Sequence, residues 1–198
     1  MSRIHAGIIL KTYFPRKCKI AVLDSHLGKI IGVPMRDNLC QGALIQYTVR
    51  PQLHCSFLHE IEVINVPFAF AHHDIIFLHQ VLELCYYFIP VESSGMSSIF
   101  NLINYLYAAY KNGWSTYTKK LFLFKLLTEI GVYPEQKEFQ SPYFLQLASL
   151  SIELLEESLQ EAVVSEVHID RWLKQCMAIH PLVKKFNTIH FLDSDRNL

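Results

Sequence analysis

The sequence predicts an α+β fold, with a five-stranded β-barrel at the front and an all-α part behind it. Three observations predict it. Between Ile4 and Val66 the apolar residues alternate as in half-buried strands, and from Ile75 onward they recur at a spacing near 3.6, as in helices. The first two connections in the front are short and polar, which favours antiparallel neighbours. Finally, 51% of the 198 residues are apolar, enough for a sizeable core and too many for a disordered chain.

The first three strands read Ile4–Tyr13, Lys19–Asp24 and Lys29–Val33, each rich in Ile and Val, which suit a pleated surface. Phe14 to Cys18 joins the first pair. Ser25 to Gly28 joins the second, with Gly28 free to take a positive φ. Pro34 to Leu39 reads as a loop, because Pro, Arg, Asp and Asn interrupt the apolar run. Ala43–Val49 and Cys55–Val66 supply a fourth and a fifth strand. In the last of these, Ile61, Val63 and Asn65 fall on one face and Glu62, Ile64 and Val66 on the other. Five strands in this length suit an OB-type barrel, and the same count suits an SH3-like barrel.

Pro67 to His73 is the expected junction. Asp74 is placed to cap a helix over Ile75–Phe88, apolar nearly all round and stopped by Pro90. Ser97 or Ser98 opens the next, with Ile99, Leu102, Leu106 and Tyr110 on one stripe and Gly113 beyond its end. Ser115 or Thr116 opens a third over Tyr117–Ile130, stopped by Gly131 and Pro134. Ser141 and Pro142 open a fourth, to about Glu161, and Ser165 a fifth, to about Ile179. A short closing segment holds Phe186, Ile189, Phe191 and Leu192, and the tail reads as frayed.

Lys and Arg balance Asp and Glu at 18 each, but unevenly. Through Leu78 there are 8 basic against 5 acidic residues, so the front carries the positive excess and suits an anion better than the back does. The five cysteines are odd in number and none has CxxC spacing, which suits reduced thiols in a cytoplasmic protein. No signal-peptide pattern opens the sequence. The apolar run around Ile75–Ile89 is broken by His79, Gln80 and Glu83, so no membrane span is expected.

Motifs for catalysis are not evident. The sequence holds no G-x-S-x-G, P-loop, G-x-G-x-x-G or H-E-x-x-H, so no enzyme activity is expected. His72, His73, His79 and Cys85 do not converge at helical spacing, and His54, Cys55 and His59 straddle a strand, so no metal is expected either. Glu60 and Glu62 read as a solvated strand edge. What remains is a basic set, Lys11, Arg16, Lys17, Lys19, Lys29, Arg36 and Arg50, interleaved with Tyr13, Phe14 and Tyr47. Such cations contact phosphates and such rings stack on unpaired bases. The plainer alternative is that the cations guard strand edges and the rings are core. Tyr86, Tyr87, Phe88, Tyr105, Tyr107, Phe122 and Phe124 are mostly core by spacing, with some available to line a peptide groove. Lys119, Lys120 and Lys125, beside Phe122 and Phe124, suggest a basic-rimmed apolar pocket for the acidic end of a partner peptide.

The order GIILKTY, KIAVLD, LGKIIGV and QGALIQYTV resembles the N-terminal OB domain of the RecO family of recombination mediator proteins. LHQVLELCYYFIP is similar to that family's first helix after the barrel, and FKLLTEIGVYPE to its helix-and-turn, with Phe124, Leu126, Leu127, Gly131 and Pro134 in register. PLVKKFNTIHFL is similar to its closing element. The resemblance implies an OB domain over residues 1–70 and a helical domain over 74–198. It further implies a non-enzymatic DNA-repair protein of the cytoplasm, associated with the nucleoid. Such a protein binds single- and double-stranded DNA, anneals strands, contacts the C-terminal tail of single-strand-binding protein and works with RecR to load the recombinase. DNA contact would fall on Lys11, Tyr13, Phe14, Arg16, Lys17, Lys19, Lys29 and Arg36, and the tail on Lys119, Lys120, Phe122 and Lys125. The sequence departs from the family in three ways. Pro34–Gln41 offers only Arg36 where a basic loop is usual, Glu135–Gln140 lacks the cysteines of a zinc module, and the chain is some tens of residues shorter. No cofactor is expected. The rival expectation is a protein-interaction module whose barrel no longer holds DNA.

Overall fold

Five strands form in the order the alternation predicts: β1 (Ile4–Thr12), β2 (Ile20–Asp24), β3 (Gly28–Pro34), β4 (Leu44–Gln52) and β5 (Cys55–Asn65). The structure, a computed structural model, describes residues 3–13, 18–52, 55–110, 113–136, 139, 146, 149–150, 166–182, 186–188 and 192. The strands close into a barrel in the order β1-β2-β3-β5-β4, with β4 returning to β1. All neighbours are antiparallel except β3 and β5, which run parallel over Gly32–Pro34 and Ser56–Leu58.

The inward positions are Ile9, Ile20, Val22, Ile30, Ile45, Tyr47 and Leu58, joined by Ala43 and by partly buried Leu39, Val49, Ile61 and Val63. A barrel this small leaves little room, and glycine meets the shortage. A Cβ on Gly7 would lie 2.4 Å from Val22 Cγ1 and 3.1 Å from Tyr47 Cε1. The Tyr47 phenol therefore fills the space beside β1 and donates to Asp24 Oδ2 at 2.6 Å. Oδ1 of the fully buried Asp24 accepts from the amides of His26 and Leu27, both at 2.8 Å, which fixes the β2–β3 turn. His5 Nδ1 completes the cluster at 3.2 Å from Asp24 Oδ2. Tyr47, read from the sequence beside the basic set, is thus a barrel-core residue with 1% of its surface exposed.

Three helices follow: α1 (Phe68–His73), α2 (Ile75–Phe88) and α3 (Ser97–Ala109). The predicted junction holds α1, a single short helix between Pro67 and Asp74. Asp74 caps α2 as expected, accepting from the Phe77 amide at 3.0 Å. Its first turn is not buried all round, since Ile75, Ile76 and His79 face solvent. On α3 the buried stripe is Ile99, Phe100, Ile103 and Leu106, so Leu102 sits at the margin of the predicted stripe. Neither Ser97 nor Ser98 caps this helix; Met96 takes that position without a side-chain bond. α2 packs on β1 and α3 on β2, covering the outward face of the sheet there.

The change of period and the division of the chain do not coincide. The two compact units are Met1–Asn112 and Gly113–Leu198, so α1, α2 and α3 belong with the barrel rather than with the later helices. In the second unit, α4 (Thr116–Ile130) starts at Ser115, whose hydroxyl accepts from the Thr118 amide at 3.0 Å. It ends at Gly131, whose φ of 85° lets its amide reach back to the last carbonyls. α5 (Glu166–Ala178) follows, with Trp172 against Phe124 at 4.5 Å between ring centroids. The fourth helix expected from Ser141 to Glu161 falls almost wholly outside the described residues, as do Ser165, Ile189 and Phe191. Among the described residues no helix is long and apolar enough to cross a membrane.

Candidate nucleic-acid interface

The site forms where β1 ends and β2 begins. The Tyr13 amide donates to the Lys19 carbonyl at 2.9 Å, holding the two chain segments together after Thr12 pairs with Ile20. A bulge between Ile9 and Lys11 shifts the register of β1 ahead of this end. Across from it, Pro34 cannot donate to the ladder, so β3 stops and the chain turns away through Arg36 and Asn38, the latter at a φ of 61°. A groove of about 660 Å³ lies here, lined by Thr12, Tyr13, Cys18, Lys19, Ile20, Pro34, Arg36, Asp37, Asn38 and Leu39.

Of the predicted cations, Lys19 and Arg36 line this groove. Arg36 is exposed and is steadied by one bond, from Nη1 to the Ile61 carbonyl at 2.9 Å, which leaves most of its donors available. Tyr13 lines the groove half-buried, its hydroxyl shared with that of Tyr86 and its ring edge-on to the Tyr86 ring at 6.2 Å. Burial, then the Tyr86 hydrogen bond, push the Tyr13 phenol well above its ordinary range, so it stays a neutral ring. Phe14, Arg16 and Lys17 lie outside the described residues. Arg50 is exposed on β4 and does not line the groove.

Two cations are placed differently from the sequence expectation. Lys29 has 7% of its surface exposed, and its Nζ donates to the Tyr86 carbonyl at 2.6 Å. Burial lowers its pKa, the opposite of what a phosphate would do. It is a structural residue, because the end of α2 covers β3 where the sequence shows only an isolated Lys in a strand. Lys11 stands half-buried over the Tyr86 ring, 4.5 Å from its centroid, with the Tyr13 and Tyr87 rings at 5.7 and 5.8 Å. Its charge is spent on those ring faces.

The residues named for a basic-rimmed pocket on α4 are mostly buried or paired. Lys120 is 1% exposed and is held by Glu166 at 2.8 Å and Asp170 at 3.1 Å. Phe122 is fully buried, Lys125 lies 2.9 Å from Glu129, and Lys119 is half-buried. The cause is that α4 is buried almost continuously from Lys120 to Thr128, so Lys120 and Lys125 are held by neighbouring carboxylates. The histidines separate too: His72, His73 and His79 are exposed while Cys85 is fully buried.

Sequence reasoning missed Asp37 and Asn38 as groove residues, and Tyr86 as the ring that organises Lys11, Tyr13 and Lys29. Asp37 carried a signal, as an acid next to the lone Arg of its loop; Tyr86 read as one more core ring. The groove as a whole offers two cations, a neutral ring and a carboxylate at one end of a barrel. No known family model matches this sequence, and neither does any curated protein.

Proposed function

We propose that the barrel is of the OB type and that the protein is a non-enzymatic, RecO-like mediator that binds nucleic acid at the groove beside Tyr13, Lys19 and Arg36. The strand order with its parallel β3–β5 pair supports the OB reading, since that fold is a five-stranded Greek-key barrel. OB barrels take oligonucleotides on the β2–β3 face and at the loops joining β1 to β2 and β4 to β5. The observation that carries the functional reading is the position of the groove at the first of these loops, with Tyr13, Lys19 and Arg36 among its lining residues. Lys19 and Arg36 neutralise phosphates and Tyr13 offers a stacking face, a combination suited to an unpaired strand. On this reading the protein works in the cytoplasm at the nucleoid, anneals strands, and meets the single-strand-binding protein tail and RecR.

Fluorescence anisotropy with a labelled dT20 over a salt series tests the proposal. Binding weakens steeply with salt, and Lys19→Glu with Arg36→Glu lowers affinity and flattens the slope by roughly two phosphate contacts. Lys29→Met serves as the control and leaves the slope unchanged, because its amine is buried.

A second reading is favoured by one specific observation. Lys29 is buried and Lys11 stands over tyrosine rings, so two of the named cations are turned away from a polyanion. A barrel of that kind serves as a protein-interaction module. The absence of any oligonucleotide binding at low salt selects this second reading.

A further inference from the structure

The groove contains a feature that phosphate binding does not explain. Asp37 lines it between Arg36 and Asn38, is exposed, and makes no ion pair with any lysine or arginine among the described residues. A carboxylate beside a polyanion repels it, unless the carboxylate accepts hydrogen bonds from the ligand itself. In a nucleic acid the donors sit on the base edges, and a single strand leaves the Watson–Crick edges open.

The four bases differ in what they show a carboxylate. Guanine presents two adjacent donors, N1–H and the N2 amino group, matching the two oxygens of one carboxylate. Cytosine and adenine each present one amino group next to a ring-nitrogen acceptor, which a carboxylate repels. Thymine presents a single N3–H between two carbonyls. Asn38, beside Asp37 in the same wall, carries an amide donor suited to guanine O6. The groove volume of about 660 Å³ falls within the usual range for ligand pockets, roughly 300–1,000 Å³, so a base and its sugar fit.

Resting on the nucleic-acid reading above, we infer that this groove is base-selective, with Asp37 as the specificity-determining residue that takes an unpaired guanine. Lys19 and Arg36 hold the flanking phosphates, and the Tyr13 ring offers the stacking face.

The test uses the full chain and three labelled oligonucleotides: dT20, dT20 with three separated guanines, and the same strand with inosine in place of guanine. Inosine keeps N1–H and O6 but lacks the N2 amino group. The guanine strand binds about tenfold more tightly than dT20, and inosine loses most of that gain. Asp37→Asn removes the preference, so that the guanine strand and dT20 bind it equally. Equal affinity of the native protein for dT20 and the guanine strand overturns the base-selectivity inference and leaves the nucleic-acid reading standing. A guanine preference that survives Asp37→Asn overturns the assignment to Asp37. Failure of all three strands to bind overturns both readings.

Discussion

Gly28 shows how one residue couples two parts of the first unit. It sits at a φ of 73°, and a Cβ built on it would fall 1.7 Å from the Ser93 carbonyl oxygen. That contact is with backbone, so no side chain can swing away to relieve it. Gly95, nearby in sequence, has a φ of 86° and nothing within 4 Å. Both positions cost alanine the left-handed term, about 1–2 kcal/mol. Gly28→Ala adds a clash, so it destabilises by about 2 kcal/mol more than Gly95→Ala in urea unfolding; equal losses would show that the approach of Ser93 is not a packed contact. The positive φ at Gly28 was legible in the sequence as a turn between two Ile-rich runs. The carbonyl above it was not, because the contact spans 65 residues of chain. The cations divide in the same way. Lys19 and Arg36 could be placed beside a loop from sequence, whereas the burial of Lys29 depends on the last turn of α2, which no local pattern in β3 announces.

At the scale of elements, the β-strands and the ends of α2 and α4 were read well because each carries its own chemistry. Asp74 and Ser115 cap α2 and α4, and Gly131 closes α4, from signals within a few residues. The short α1 was missed, since it lacks both a capping side chain and the length for a visible period. The burial of the α4 lysines was not legible for a different reason: a buried Lys looks like an exposed one until its partner is known. Lys120 ties α4 to α5 through Glu166 and Asp170. Burial raises the Asp170 pKa while the Lys120 ammonium lowers it, so the carboxylate depends on that cation to stay charged. Lys120→Met leaves two carboxylates facing an apolar chain and destabilises by about 2–4 kcal/mol, softened by the partial exposure of Glu166. Adding Asp170→Leu restores part of the loss. Denaturant midpoints of the two variants check this, and a double variant less stable than Lys120→Met would show that the ion cluster is not what couples the helices.

For the molecule as a whole, the barrel was legible because five alternating runs with short connections leave few ways to close, while the grouping of α1 to α3 with the barrel was not. That grouping follows from contacts such as Tyr86 with Lys11, Tyr13 and Lys29, which no periodicity encodes. It also gives the first unit a set of acidic hydrogens shut away from water. Burial, then the negative field and hydrogen bond of Asp24, drive the Tyr47 phenol far above its ordinary value of 10.0. Burial raises Tyr107 likewise, and pushes the Cys85 thiol from 9.0 up to about 12. In each case the folded chain keeps a proton that the unfolded chain releases more readily. Their contribution is therefore fully present below the unfolded values and is lost as pH rises, from about 9 for Cys85 and from about 10 for the tyrosines. Lys29 acts with the opposite sign, because its lowered pKa makes the folded state bind the proton less well than the unfolded state does. Its burial cost fades as pH rises toward 10.5, offsetting part of the decline. The net expectation is a fall in the urea midpoint of the barrel unit above pH 9. Tyr47→Phe removes one contributor and makes the decline above pH 10 shallower. An equally steep decline in Tyr47→Phe would show that the Tyr47 phenol is not sealed in the core.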